Sequence, residues 1–227
     1  MAGILGGIEG AHCKLRPPKP GQSLADFEND LSNGVKIATR TYTVWHIRPE
    51  ALELDIDFVD HGDTRPASTW ARAAKPGDFL AFMGPGPLKV AEFEAVSWII
   101  AADISALPIA SATLEKLPAD ATGVAIFEVP SFEDKQDLNA PEGIEQIWLL
   151  QKDTHQTSLA QVEEVIERPW PASRIKTCIA GETGTIRAFK QLIERDKALP
   201  RSDVYISGYW KIGLLEDEHQ AVKRRGG

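Results

Sequence analysis

Between Val35 and Ile47 the chain is dense in Val, Ile, Thr, Tyr and Trp, and Ala51–Val59 (ALELDIDFV) alternates apolar and polar positions over most of its length. Side chains on a strand point to opposite faces in turn, so a two-residue period predicts strands half-buried against a core. A short helix is expected over Ser68–Ala74. A further strand is expected over Asp78–Met83, closed by Gly84-Pro85-Gly86-Pro87. That punctuation is where a domain boundary is expected, because neither helix nor strand continues easily through it. The earlier stretch Pro17–Asn33, rich in Pro, Gly, Gln, Ser and acids, reads as a long connection.

Past residue 88 the rhythm changes. Apolar strand-like runs at Val96–Ala101, Val124–Val129, Ile147–Leu150, Ile175–Ile179 and Val204–Ile206 alternate with helical stretches at Ala106–Leu117, Ser158–Glu167 and Thr183–Arg195. In the second of these stretches Leu159, Val162, Val165 and Ile166 recur at helical spacing and predict one apolar face. Alternating strands and helices predict a parallel sheet covered on both sides, with ligands at the carboxyl ends of its strands. The expected architecture is a β-barrel plus α/β: an antiparallel barrel domain over residues 1–88, then a parallel-sheet nucleotide-binding domain over 89–227.

Composition narrows the function without naming it. The 227 residues are 43% hydrophobic and 26% charged, with a net charge of -8. That acidity argues against nucleic acid or an anionic membrane as partner, since both require clustered positive charge. No apolar run approaches the ~20 residues that cross a bilayer, and MAGILGGIEG lacks the basic start of a secretory signal, so a cytoplasmic protein is expected. The two cysteines, Cys13 and Cys178, form no CxxC pair, which argues against a cysteine-ligated iron–sulfur centre. Redox chemistry in such a chain would need a bound organic cofactor. His12, His46, His61, His155 and His219 show no metal-ligand spacing.

Five short segments carry more. They are Arg40-Thr41-Tyr42-Thr43; Leu54–Val59 with His61-Gly62; Pro66-Ala67-Ser68 with Trp70-Ala71; Ala106-Leu107-Pro108; and Gly208-Tyr209-Trp210-Lys211 with Gly213. On a strand, Arg40 and Tyr42 share one face and Thr41 and Thr43 the other. Ser68, opening a helix after a proline turn, reads as a cap or a phosphate ligand. Ala180-Gly181-Glu182 joins a strand to a helix.

In this order and spacing the segments resemble siderophore-interacting proteins, over a span from about His12 to about His219. The resemblance implies a ferric-siderophore reductase of iron acquisition, an FAD-dependent ferric-chelate oxidoreductase. FAD would lie between barrel and α/β domain, NAD(P)H would supply hydride, and a ferric siderophore would be the small-molecule substrate. Cofactor contacts are implied for Arg40, Tyr42, Thr43, Asp57, His61, Ala67, Ser68, Asp103, Ser105 and Trp210. Arg40 suits the pyrophosphate, Tyr42 the flavin or ribityl chain, and Thr43, the catalytic candidate, the flavin's hydride-accepting nitrogen. Around the substrate the resemblance places Lys14, Lys211, His219 and Lys223, basic groups for an anionic chelate. No protein metal ligand is implied, and the state would be monomer or homodimer.

Three departures qualify the match. Arg65 precedes the Pro-Ala-Ser stretch where the family has glycine, and Ala102 and Ser105 stand where it has glycine and threonine. Only eleven residues precede His12, so an N-terminally shortened barrel with open edges is expected, its flavin easily lost. Two rival readings stay open: a non-catalytic siderophore- or flavin-binding protein, and a general flavin reductase or diaphorase.

Overall fold

The structure, a computed structural model, describes residues 7–60, 66–95 and 97–214, and the chain divides into two compact units, Met1–Leu88 and Lys89–Gly227. In the first unit, strands β1 (His12–Arg16), β2 (Arg40–Thr43) and β5 (Ala81–Met83) form an antiparallel sheet in the order β2-β1-β5. Strands β3 (Ile47–Arg48) and β4 (Glu53–Leu54) make a separate short ladder. The alternation in β1 does what a half-buried strand requires. Cys13 and Leu15 turn into the core while Lys14 stays exposed. That core joins Ile8, Ala11, Cys13, Leu15 and Val44, with Tyr42, Phe58 and Phe82 packed against it.

The strand pattern across 35–47 and 51–59 is only partly used. Ladder pairing is confined to 40–43, 47–48 and 53–54, with Trp45 and Asp55 extending the last by backbone hydrogen bonds of 2.9 Å. The expected helix at 68–74 starts two residues earlier, as α2 (Pro66–Ala73), since proline fits the first turn where its missing N–H costs nothing. The supposed connection at 17–33 contains a helix, α1 (Leu24–Ser32). Ser23 caps it by accepting from Asp26 N, and Phe27 docks inward against Phe79 with ring centroids 5.5 Å apart. One buried aromatic and a cap decide that segment against its polar composition.

The second unit is a five-stranded parallel sheet in the order β10-β9-β6-β7-β8. Its strands are β6 (Ser97–Asp103), β7 (Thr122–Val129), β8 (Ile144–Leu150), β9 (Ile175–Glu182) and β10 (Val204–Trp210). Helices α3 (Leu107–Leu114), α4 (Ala160–Ile166) and α5 (Thr183–Lys190) connect them, α5 running on into a π-helical turn at Gln191–Asp196. β6 lies centrally, and all seven of its residues are buried, as a strand covered on both faces requires. The chain steps outward from β6 to β7 and β8, then crosses back to build β9 and β10 on the other side. The carboxyl ends of β6 and β9 therefore flank the point where the winding reverses.

Helix α4 corrects the expected apolar face. Val162 and Val165 are buried, but Leu159 and Ile166 are 47% and 60% exposed. The buried place goes to Gln161, whose Nε2 donates to the carbonyls of Ala102 (2.9 Å), one residue before the end of β6, and Ile126 (3.0 Å), inside β7. A buried amide needs hydrogen-bond partners, and the carbonyls of two adjacent strands supply them to its N–H groups.

Candidate active site

In the first unit the candidate residues gather on β2 and α2. Arg40, opposite Leu15, is half-buried and donates from Nη1 to Thr39 O at 3.0 Å. Tyr42 lies opposite Cys13, its ring 4.5 Å from that of Phe58, and Phe58 is 6.1 Å from Trp70 of α2. A row of three rings thus links β2, the 55–59 segment and α2. Thr43 is 7% exposed, which leaves its hydroxyl a narrow approach. Asp57 is half-buried. Ala67 and Ser68 are buried in the first turn of α2, and Ser68 Oγ donates to Val59 O at 3.2 Å. The Ser68 proton therefore ties α2 to the segment before it and is not offered to an anion. Lys14 stands exposed on β1 between Thr41 and Met83. His61, His219 and Lys223, and Arg65 with them, lie outside the described residues.

At the carboxyl ends of the second unit's strands sits a group of buried carboxylates. Asp103 ends β6, Glu128 stands one residue before the end of β7, and Glu182 ends β9. With Gln151 and Gln161 they line a water-sized cavity. Asp103 Oδ1 accepts from Ser105 N (2.9 Å) and Ser105 Oγ (2.6 Å), and Oδ2 from Glu182 N and Trp210 Nε1, both at 2.7 Å. Burial pushes its carboxyl above the ordinary range, and those donors oppose the shift. Glu128 is also pushed up, first by burial and further by the charge of Asp103, against a hydrogen bond from Ser158. Glu182 is the N-cap of α5, accepting from Gly184 N (2.6 Å) and Thr185 N (3.2 Å) as well as Thr157 Oγ1.

The geometry redirects two expectations. Asp103 and Ser105 were natural candidates for cofactor contacts, yet they bond each other and the neighbouring strands. With about four lone-pair positions on a carboxylate, Asp103 has none left for a ribose hydroxyl. Trp210 and Lys211 are both half-buried, and the Trp210 indole N–H is likewise taken internally. Gln161 and Glu128 escaped the sequence reading. Glu128 was legible as the one charged residue inside the apolar run Val124–Val129. Gln161 was not, because a polar residue near a helix start carries no distinctive signal.

Burial pushes both thiols, Cys13 and Cys178, up to about 12, so neither is a reactive thiolate at neutral pH. Among the described residues no group of three or more His, Cys, Asp or Glu is placed to hold a metal ion, and no helix is long and apolar enough to cross a membrane.

Residues 6–88 match the siderophore-interacting FAD-binding domain, and residues 95–213 match the siderophore-interacting protein model. The chain belongs to the siderophore-interacting protein family. It is 36% identical over 223 residues to the ferric vibriobactin reductase of Vibrio cholerae, covering 92% of this chain and 80% of that protein. Among solved structures it is similar to the siderophore-interacting protein SipS of Aeromonas hydrophila, with 35% identity and a TM-score of 0.74 over 88% of this chain and 84% of that one. A siderophore utilization protein from T. fusca gives 30% identity and a TM-score of 0.80, covering 95% and 85%. These matches span both units, so the antiparallel sheet with β3–β4 is the FAD-binding half of a siderophore-interacting protein, and the parallel sheet is its α/β half.

Proposed function

We propose that this chain reduces ferric siderophores, taking electrons from NAD(P)H through FAD and releasing iron(II). What carries the reading is the set Arg40, Tyr42 and Thr43 on β2, backed by Phe58 and Trp70, in a chain that resembles a ferric vibriobactin reductase across both units. The donor set fits FAD: a half-exposed guanidinium suited to two phosphate oxygens, and a ring held by its neighbours at the right strand spacing. FAD supplies the chemistry a polypeptide lacks, accepting a hydride as an electron pair and giving electrons up singly.

The residues bind and orient. Arg40 would neutralise the pyrophosphate, and Tyr42, held by Phe58, would present an already ordered ring, so little entropy is lost on binding. First-turn N–H groups of α2 at Ala67 and Ser68 would add dipoles aimed at a phosphate. Asp57, half-buried in the 55–59 segment, would hold a ribityl or ribose hydroxyl. His61 completes the proposed cofactor set from outside the described residues. Lys14 and Lys211, with His219 and Lys223, would raise the local concentration of an anionic chelate without entering hydride transfer. Iron(II) is held far less tightly than iron(III) by hard oxygen ligands, so reduction itself releases the metal.

Purified protein loaded with FAD should bleach anaerobically with NADH or NADPH. It should then recolour on addition of a ferric siderophore as a ferrous chelator develops colour. Bleaching without iron(II) formation would make it a diaphorase, and no bleaching with either donor would make it a carrier.

A further inference from the structure

We propose that Asp103 is a positioning residue, acting through Trp210 by fixing the direction of its indole and of the chain that leaves β10. The proposal rests on the reading of Trp210 as part of the cofactor site. A turn such as that after β6 needs only one carboxylate oxygen, and Oδ1 fills that role with Ser105 N and Oγ. Oδ2 does something a cap does not require. It gathers Glu182 N from the last residue of β9 and Trp210 Nε1 from the last residue of β10. Asp103 is 9% exposed, and among the described residues no lysine or arginine pairs with it. A carboxylate buried without a cation is costly and persists only when every lone pair has a donor.

The backbone alone does not orient Trp210. The register between β10 and β9 shifts between Gly208 and Trp210, so the tryptophan pairs with Glu182 across an irregularity, out of step with the ladder before it. Its direction is set by side chains: Asp103 on the indole N–H, and Thr183 Oγ1 donating to Trp210 O at 2.6 Å. Gly181 makes room for this arrangement. Its φ is +150°, and a Cβ there would lie 2.6 Å from Asp103 Oδ2. The crevice between β6 and β9 is thus filled by a carboxylate whose outward bond ends on the residue directly before Lys211.

The test uses full-length protein labelled with nitrogen-15, first without FAD. Each of the six tryptophans contributes one indole N–H resonance, and the one missing in Trp210→Phe belongs to Trp210. In Asp103→Asn that resonance should move and exchange with solvent at least about tenfold faster, as a lost hydrogen bond of ordinary strength implies. On titration with FAD, both single variants should raise the dissociation constant about three- to tenfold, and the double variant should be no worse than either single. An unmoved resonance, FAD affinity unchanged in both singles, or losses that add in the double would each overturn the proposal. Should Asp103→Asn fail to fold, Trp210→Phe decides alone, since it keeps the carboxylate and an aromatic ring while removing the indole N–H; wild-type affinity for FAD in that variant overturns the idea. Wild-type protein that binds no FAD would instead sink the functional reading beneath the proposal, an outcome distinct from FAD that binds equally in all forms.

Discussion

Replacing Gly181 by alanine tests how firmly the end of β9 is packed against Asp103. The new Cβ would stand 2.6 Å from Oδ2 and 2.8 Å from Cγ of that residue. Reaching an ordinary 3.4 Å contact requires a retreat of about 0.8 Å, the difference between 3.4 and 2.6. The aspartate side chain is short and held at four points. A retreat of that size stretches a 2.7 Å bond to Glu182 N or Trp210 Nε1 to the edge of hydrogen-bond range. Losing one bond to a charged acceptor costs about 1.5–3 kcal/mol. A side chain at φ +150° costs about 1–3 kcal/mol more. Together these come to about 2.5–6 kcal/mol, and at about 2–4 °C per kcal/mol for a chain of this size the melting temperature should fall roughly 5–24 °C. The control is Gly213→Ala, which has φ +77° but nothing within 4 Å of its would-be Cβ, so it feels the backbone strain alone. Thermal unfolding by circular dichroism measures both. If Gly181→Ala melts within about 3 °C of the Gly213→Ala protein, Asp103 yields without cost and its four bonds are not the clamp described above.

Other outcomes follow from the same geometry. Arg40→Ala should weaken FAD binding by about 1.5–3 kcal/mol, the value of a charge-assisted contact; an unchanged dissociation constant by fluorescence titration removes Arg40 from the site. Lys14→Ala should raise the Michaelis constant for an anionic ferric siderophore while flavin bleaching by NAD(P)H stays as in wild type, and added salt should erase the difference because exposed charges are screened; equal Michaelis constants at low salt would refute the role. Glu128 has a folded-state pKa above its ordinary 4.5, so its protonated form is favoured by folding, and the stability it contributes is present below 4.5 and lost as pH rises through the folded value. Glu128→Gln should therefore gain in melting temperature relative to wild type as pH is raised toward 8, and a difference that stays constant across that range would contradict the assignment.

Local pattern carried far in this chain where a residue's role depends on its neighbours in sequence. The apolar runs of β6, β7, β8, β9 and β10 and the helices between them were legible because strands covered on both faces need nearly unbroken apolar stretches, and helices need a face. Arg40 and Tyr42 could be placed on one side of a strand from spacing alone. The first unit was less legible. Its strands are two to five residues long, so alternation over 51–59 overstated the pairing, and α1 lay hidden in a polar segment whose one buried ring, Phe27, finds its partner Phe79 far along the chain.

What sequence could determine by itself was the kind of residue available at each strand end: a carboxylate at 103, a hydroxyl at 105, an indole at 210. Only tertiary structure decided what those groups bond. Asp103 and Trp210 are 107 positions apart, and their contact exists because β9 is inserted between β6 and β10 in the sheet, bringing three carboxyl ends together. Gln161 turned α4 inward for the same reason, since the carbonyls it serves belong to strands that begin far earlier in the chain. Hydrogen bonds reach about 3 Å, so a buried polar group is assigned by whichever strand lies beside it, and that neighbour is a property of the winding rather than of the local sequence.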